Sequence, residues 1–329
     1  MASFKQPLDI GHFELEISAM LNFLPETLIG VITFLVSMLN NLFWGTILLA
    51  VALFKLMLPF KPVQLVINRI LNGIAQNWIS CNSGWMYLVQ KTQWDVQGME
   101  GLSYKSWYLL SSNHQSYADI FVLQHLLNRK IPLLKFYIKR ELIYFPILGL
   151  VWWALDFPFV RRHSPEYLEK HPEERTKDLE TVRRACEKFA LMPTSVINFL
   201  EGTRFSQAKH KRQQSAYKFL LRPKAGGIAL ALSTLGGKFK SLIDITIVYP
   251  DGVPSFWDFL CGRIKRVVVR IRELPIPAQL IGGDYEGDPG FRTDFQRWIN
   301  QMWLEKDRQI EQILSAISKS PHPPFTKGG

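Results

Sequence analysis

Cysteine is scarce in this chain of 329 residues, which contains Cys81, Cys186 and Cys261 and no C-x-x-C pair. Three widely spaced thiols predict no disulfide framework and no zinc site, and they are typical of reduced cysteines in a cytosolic compartment. Internal repeats and an aromatic-basic RNA-binding signature are also missing. We therefore expect no structural disulfide, no metal site and no nucleic-acid partner.

Charged residues are absent from 28–54, a run of 27 residues where about 20 are enough to span a bilayer as a helix. Because the run starts late, is long and follows acidic residues, it is not a cleavable signal peptide. Residues 1–27 hold one lysine and four acids, whereas 55–94 hold four basic residues and no acid. The positive-inside rule therefore predicts a membrane segment at 28–60, with the later flank in the cytoplasm and 1–27 outside if the segment spans.

Two alternatives to a spanning helix are open. Asn40 and Asn41 in the middle of the run permit a broken hairpin that enters one leaflet, and a buried helix of a soluble core is the other interpretation. The next segment, 61–93, has apolar residues at three- and four-residue spacing, which predicts an amphipathic helix that packs on the core or lies in the membrane interface. The apolar positions are Val63, Val66, Ile67, Ile70, Leu71, Ile74 and Trp78.

The overall composition indicates an acidic partner and a membrane. The net charge is +11, and 47% of the residues are hydrophobic and 13% aromatic, which is richer in apolar surface than a soluble enzyme needs. Anionic phospholipid, a phosphorylated substrate and an acidic carrier protein all satisfy the sign of the charge.

From residue 94 onward, strand-like and helix-like runs alternate. This order predicts an α/β domain over 94–317, with a mixed, mostly parallel sheet flanked by helices. The tail at 318–329 contains three prolines and a glycine pair and is predicted to be disordered. Predicted strands lie near 107–112, 136–139, 157–160, 195–200, 242–248 and 264–271, and predicted helices near 119–127, 173–189, 225–235 and 291–317.

The motif N-H-Q-S-Y-A-D at 113–119 places an imidazole and a carboxylate five residues apart, directly after the apolar run 107–110. Where a strand is followed by a helix, a histidine ring can turn toward an aspartate in the first helical turn, which then fixes the tautomer of the ring. On this interpretation His114 is the base of an acyl-transfer site and Asp119 orients it. No serine or cysteine motif stands beside them, so the nucleophile is a hydroxyl of the substrate. Two alternatives are that the spacing of His114 and Asp119 is coincidental, and that these residues form a metal cluster with His125.

A second motif, F-L-E-G-T-R, follows at 199–204. Two blocks lie between the motifs, K-R-E-L-I-Y-F-P-I-L-G at 139–149 and D-F-P-F-V-R-R at 156–162, and an apolar strand that ends in Y-P follows at 244–250. With these blocks in this order, the chain resembles the glycerolipid acyltransferases, the lysophosphatidic acid acyltransferase family, over roughly 98–250. Within that family it looks most similar to the bacterial inner-membrane relatives of the lysocardiolipin-type branch.

The resemblance implies an enzyme like 1-acylglycerol-3-phosphate O-acyltransferase, with His114 and Asp119 as the catalytic pair. Tyr249 before the proline departs from the family's V-P-V pattern. Gly202 permits close approach of the backbone to a substrate, and Arg204 offers a two-pronged contact to a phosphate. The residues that the resemblance assigns to the acceptor and its phosphate are Glu201, Gly202, Thr203, Arg204, Lys139 and Arg161.

The implied reaction moves a fatty acyl group from acyl-CoA or an acyl carrier protein to the free hydroxyl of a lysophospholipid, without a cofactor. The favoured acceptor is 1-acyl-sn-glycerol-3-phosphate, which gives phosphatidic acid. Two alternatives stay open: a remodelling acyltransferase for lysophosphatidylglycerol or lysocardiolipin, and a non-catalytic membrane module that binds anionic lipid. The implied location is the inner (cytoplasmic) membrane, with the catalytic domain in the cytoplasm.

Overall fold

The computed structural model describes residues 24–160, 180 and 187–319, and its first two elements are long helices. Helix α1 is Glu26–Met57 and helix α2 is Lys61–Val89. The break between them contains Pro59, which disfavours helical backbone at the residue before it and so separates the two helices. Pro62 lies in the first turn of α2, where the missing N–H removes no hydrogen bond.

Helix α1 continues unbroken through Asn40 and Asn41, so the alternative of a hairpin broken at these residues is wrong. The Asn40 side chain donates from Nδ2 to Asn82 Oδ1 at 2.8 Å, and Trp78 Nε1 donates to Asn41 Oδ1 at 3.1 Å. The two asparagines therefore join α1 to α2. Only 17% of the most apolar 18-residue window of α1 is buried, which contradicts the interpretation as a buried core helix. By its length and composition, α1 is able to cross a membrane.

The apolar stripe of α2 is divided between two environments. Ile67, Leu71 and Trp78 are buried in the same apolar cluster as residues of the sheet, whereas Val66 and Ile70 are exposed. The helix therefore packs on the core and leaves some apolar side chains on the molecular surface, and its role at a membrane interface stays a prediction.

A six-stranded sheet forms the centre of the molecule. Its strands are β1 Gln93–Gln97, β2 Trp107–Ser112, β3 Leu134–Phe136, β6 Ser195–Phe199, β7 Phe239–Val248 and β8 Arg266–Leu274. They are arranged in the order β1-β8-β7-β2-β6-β3, and every neighbouring pair except β7 and β8 is parallel. The predicted α/β class with a mixed, mostly parallel sheet is confirmed. A separate parallel pair consists of β4 Ile138–Lys139 and β5 Phe159–Val160.

Helices cover both faces of this sheet. They are α3 Ala118–Leu127, α4 Leu148–Ala154, α5 Gln207–Gln213, α6 Gly226–Leu235, α7 Phe256–Leu260 and α8 Pro289–Lys319. Successive strand residues point to opposite faces. In β2, Leu109 therefore joins the apolar cluster formed with α6 and α8, and Leu110 joins the cluster formed with α2 and α3.

Some boundaries differ from the predictions. The predicted strand at 136–139 is divided between β3 and β4, because β4 pairs with β5 in a different sheet. Strand β1 is not among the predicted strands, although Q-W-D-V-Q alternates polar and apolar residues; it is a short strand at the edge of the sheet. Most of the predicted helix at 173–189 lies outside the described residues, as does the predicted tail beyond Lys319, the last residue of α8.

Candidate active site

Three strands end at the same edge of the sheet. Strands β2, β6 and β7 are parallel to one another, so their carboxyl ends lie side by side. The chain continues from these ends into 113–119 after β2, 200–205 after β6 and 249–250 after β7. Three blocks that are far apart in sequence therefore meet where α/β folds place their sites.

The side chains of His114 and Asp119 form a direct hydrogen bond, in which His114 Nδ1 lies 2.8 Å from Asp119 Oδ2. The aspartate lies in the first turn of α3, and its side chain is completely buried. The same oxygen accepts the backbone N–H groups of Gln115 at 2.7 Å and Ser116 at 2.9 Å. Because an ionised carboxylate only accepts hydrogen bonds, the proton of the neutral ring lies on Nδ1 and the lone pair on Nε2. This tautomer is the one that a general base requires.

The imidazole of His114 is also fixed by its packing. Its ring stacks on that of Phe199, the last residue of β6, with centroids 4.1 Å apart and planes inclined by 17°. The His114 carbonyl accepts the backbone N–H of Phe205 at 2.7 Å. Only 14% of the histidine side chain is exposed. The ring is therefore held between Asp119 and Phe199, its backbone is joined to the loop after β6, and part of the side chain still reaches the surface.

Glu201 connects the two predicted motifs. Its Oε1 accepts the backbone N–H of His114 at 2.8 Å, and its Oε2 accepts that of Leu221 at 3.1 Å. The side chain is completely buried. Burial raises the pKa of Glu201 to about 7, and the two backbone N–H donors, which favour the charged form, offset this effect only in part. Within the predicted acceptor block, Glu201 thus contacts backbone and organises the loops.

The raised pKa of Glu201 predicts a pH-dependent stability. An ordinary glutamate ionises near pH 4.5, so between that pH and about 7 the folded state keeps a proton that the unfolded state has released. Raising the pH from 5 to 8 should therefore lower the free energy of unfolding of the wild type, relative to Glu201→Gln, by on the order of 2–3 kcal/mol. Urea denaturation of both proteins at several pH values measures the difference. Parallel pH profiles would contradict the raised pKa.

Positive charge surrounds the loop after Glu201. The Arg204 guanidinium carbon lies 3.6 Å from the centroid of the Tyr117 ring, which holds the group by a cation–π contact. The Lys209 ammonium donates to Thr203 Oγ1 at 2.8 Å and to the Arg204 carbonyl at 2.9 Å. Both cations are therefore positioned by the loops that carry the two motifs.

Gly202 occupies a backbone conformation that other residues rarely adopt, with φ of +67°. A Cβ at this position would lie 3.2 Å from the Lys224 side chain. The glycine thus permits both the turn and the approach of a third cation to the loop.

Other predicted residues lie elsewhere. Lys139 ends β4 in the small sheet, where its half-exposed ammonium lies 3.5 Å from Glu141 Oε1, and no contact within the described ranges joins it to His114. Arg161 lies outside the described residues. His125 packs between aromatic rings of Tyr87 and Trp94, at centroid distances of 5.0 and 5.1 Å.

Two residues at this edge have contacts that the sequence analysis does not anticipate. The buried Asn113 side chain donates to the Ile247 carbonyl and accepts the Ile247 N–H, both at 2.8 Å, which ties the end of β2 to β7. The Tyr249 hydroxyl donates to Asp119 Oδ1 at 2.7 Å. The available signals were a polar side chain directly after a buried strand and the departure of Tyr249 from the V-P-V pattern.

Comparison with known proteins agrees with this geometry. Residues 93–250, which include every block at the sheet edge, match the model of the acyltransferase family. This part, just under half of the chain, is similar to acyltransferase-family domains. Mouse 1-acyl-sn-glycerol-3-phosphate acyltransferase gamma is 26% identical over 178 residues, covering 51% of this chain and 43% of the relative. Human 1-acyl-sn-glycerol-3-phosphate acyltransferase delta is 24% identical over 185 residues, covering 53% of this chain and 44% of the relative.

The chain therefore spans about half the length of the curated relatives it matches. Its fold is similar to the crystal structure of the 1-acyl-sn-glycerophosphate acyltransferase PlsC from Thermotoga maritima. The TM-score is 0.53 at 15% identity, and the match covers 86% of this chain and 95% of the other. The similarity of fold thus includes much more than the family domain.

Proposed function

We propose that this acyltransferase moves a fatty acyl group from a thioester to the free hydroxyl of 1-acyl-sn-glycerol-3-phosphate, which forms phosphatidic acid. The observation that carries the proposal is the hydrogen bond from His114 Nδ1 to the buried Asp119, beside a loop with three cations. The names of the mouse and human relatives, which specify this acceptor, also support it. The donor is acyl-CoA or an acyl carrier protein.

The chemistry follows from the free nitrogen of the imidazole. Nε2 of His114 takes the proton of the acceptor hydroxyl as its oxygen attacks the carbonyl carbon of the thioester. Asp119 stabilises the imidazolium that forms. When the tetrahedral intermediate collapses, the C–S bond breaks and the imidazolium returns the proton to the departing sulfur. The products are an ester and a free thiol, and no acyl-enzyme is needed because the thioester is already activated.

The charges around the second motif favour an anionic acceptor. Arg204, Lys209 and Lys224 surround the loop, whereas the one carboxylate of the motif, Glu201, is buried and bonded to backbone N–H groups. A guanidinium binds two phosphate oxygens at once. We therefore assign the phosphate of the acceptor to Arg204 and give Thr203 the role of holding Lys209. Lys139 and Arg161 stay predicted phosphate partners.

Arg204→Ala should raise the KM for lysophosphatidate and leave kcat close to the wild-type value. Losing one charge-assisted contact of about 1.5–3 kcal/mol corresponds to a fall of roughly ten- to a hundredfold in kcat/KM for the acceptor. Arg204→Lys should recover only part of it, because an ammonium cannot bind two oxygens in one plane. Steady-state kinetics with varied acceptor and saturating donor make the measurement.

Arg222→Ala is the matched control for Arg204→Ala, since Arg222 is an exposed arginine whose side chain donates to the Gln214 carbonyl. Its acceptor KM should equal that of the wild type. A collapse of kcat at unchanged KM in Arg204→Ala would instead place the arginine in the transition state or in the fold.

The exposed side of α1 supports association with a bilayer. Large apolar side chains cover it, among them Leu35, Leu39, Leu42, Phe43, Leu53 and Phe54. An apolar surface of this extent is typical of a membrane contact. The opposite side of α1 consists mostly of small residues, together with Leu48, and packs on the rest of the protein, with Gly30 against Trp257 and Gly45 against Ile147.

Both ends of α1 are bound to the acyltransferase domain. Glu26 accepts from Arg263 at 2.8 Å, and Lys55 donates to Asp156 at 2.7 Å. At a rise of 1.5 Å per residue these ends are about 44 Å apart, which exceeds the roughly 30 Å of bilayer hydrocarbon. One domain contacts both ends only if they lie on the same side of the membrane. We therefore propose that α1 lies along the membrane surface with its apolar side in one leaflet, on the cytoplasmic side of the inner membrane.

The acceptor is tested directly. Purified protein is given labelled acyl-CoA or acyl carrier protein with lysophosphatidate, lysophosphatidylglycerol and lysocardiolipin in mixed micelles. We expect the highest kcat/KM for lysophosphatidate. A preference for lysocardiolipin or lysophosphatidylglycerol would identify a remodelling enzyme, and no transfer to any acceptor would favour the non-catalytic lipid-binding module.

A further inference from the structure

Tyr249 contacts the proposed catalytic pair from a third strand. It follows Val248, the last residue of β7, and its ring is buried, with 5% exposed. Its hydroxyl donates to Asp119 Oδ1 at 2.7 Å. The residue comes 130 positions after Asp119 in the chain, so only the parallel pairing of β7 with β2 brings the two together.

The two oxygens of the Asp119 carboxylate have separate partners. Oδ2 interacts with His114 Nδ1 and accepts the backbone N–H groups of Gln115 and Ser116. Among the described residues, Tyr249 is the one donor to Oδ1. A buried carboxylate oxygen without a donor is costly, so the group would rotate to share its remaining donors if this hydroxyl were absent.

We propose that Tyr249 is a positioning residue of the His114–Asp119 pair: its hydroxyl fixes the rotation of the Asp119 carboxylate so that Oδ2 faces the imidazole. The inference rests on the proposed acyltransferase chemistry and adds to it a residue on β7. An apolar residue, as in the V-P-V pattern of the family, cannot make this bond. In this chain the bond depends on the tyrosine that precedes Pro250.

The hydroxyl is able to serve as a donor throughout the working range of pH. Burial, and then the negative charge of Asp119, raise the pKa of Tyr249 well above its usual value. The phenol therefore keeps its proton. Glu201, whose carboxylate accepts a hydrogen bond from the His114 backbone, is a further titratable group beside the pair.

Tyr249→Phe removes the hydroxyl and keeps the ring. We expect kcat to fall about tenfold, while the KM values for donor and acceptor stay within twofold of the wild type, because the tyrosine is buried and its hydroxyl is directed to Asp119. The matched control is Tyr108→Phe. Tyr108 is equally buried, and its hydroxyl accepts the Ser103 N–H at 2.9 Å, away from the pair. The control should keep the wild-type kcat per folded molecule.

A double-mutant cycle separates positioning from a role in the fold. In the Asp119→Asn background, whose residual activity is the reference, adding Tyr249→Phe should change kcat by less than twofold, since the carboxylate that the hydroxyl orients is gone. An equal loss in both backgrounds would overturn the proposal, as would a wild-type kcat or a failure to fold in Tyr249→Phe alone. Failure of the proposed function itself is seen separately, as full activity of His114→Ala.

Discussion

His114→Ala should lower acyl transfer by about 10² to 10⁴, the range that a positioned general base contributes. The loss should fall on kcat, because Nε2 acts on the hydroxyl proton in the transition state and does not bind the ground-state lipid. Asp119→Asn should keep more activity than His114→Ala, since the imidazole remains in place but loses the carboxylate that orients it and offsets its charge. Initial rates with labelled acyl thioester and saturating lysophosphatidate measure both variants.

His125→Ala is the matched control for the loss of an imidazole. His125 packs between Tyr87 and Trp94, and burial lowers its pKa to about 4, so it is neutral at the pH of the assay. Its removal should reduce stability without changing turnover per folded molecule. Wild-type turnover in His114→Ala would show that the catalytic assignment is wrong.

A tag at the N-terminus should lie on the same side of the membrane as the acyltransferase domain. The reason is the pair of contacts at the two ends of α1, Glu26 with Arg263 and Lys55 with Asp156. In spheroplasts, external protease should therefore leave an N-terminal tag intact, and in inverted vesicles it should remove it. The digested fraction of the N-terminal tag should be close to zero in spheroplasts and close to complete in inverted vesicles, because the membrane either encloses the tag or leaves it exposed to the protease.

A C-terminal tag serves as the reference, since it follows α8 of the same domain. Digestion of the N-terminal tag in intact spheroplasts, with protection of the C-terminal one, would establish a spanning helix and contradict the in-plane arrangement. Protection of both in spheroplasts and digestion of both in inverted vesicles would support it.

The ion pairs Glu26–Arg263 and Lys55–Asp156 do not provide the energy that holds α1 against the domain. Exposed pairs such as Glu26 with Arg263 are screened by solvent and contribute little to stability. The small residues of the inner side of α1 provide the close packing, and a Cβ at Gly30 would lie 2.6 Å from Cys261 Sγ. The ion pairs at the two ends therefore show where α1 lies on the domain, and the close packing of the residues between them stabilises this position.

The sequence by itself determined the elements whose signals are local. Short, largely apolar runs in β2, β6 and β7 identified the central strands, because strands that are buried on both faces carry apolar residues at successive positions. The order of strands and helices predicted the α/β class, and His114 and Glu201 each follow a predicted strand, which is where α/β folds place their sites. The uncharged run 28–54 identified a long helix able to contact a membrane.

Only the tertiary structure decided contacts that depend on register and packing between distant segments. The pairing of β7 with β2 brings Tyr249 to Asp119, and the loop after β6 brings the Glu201 carboxylate to the backbone of His114. Lys139 belongs to the predicted block but lies in a separate small sheet, which no local pattern indicates. The orientation of α1 likewise depends on contacts at both of its ends. Hydropathy measures how much apolar surface a helix has, and only the packing of its other side determines where that surface faces.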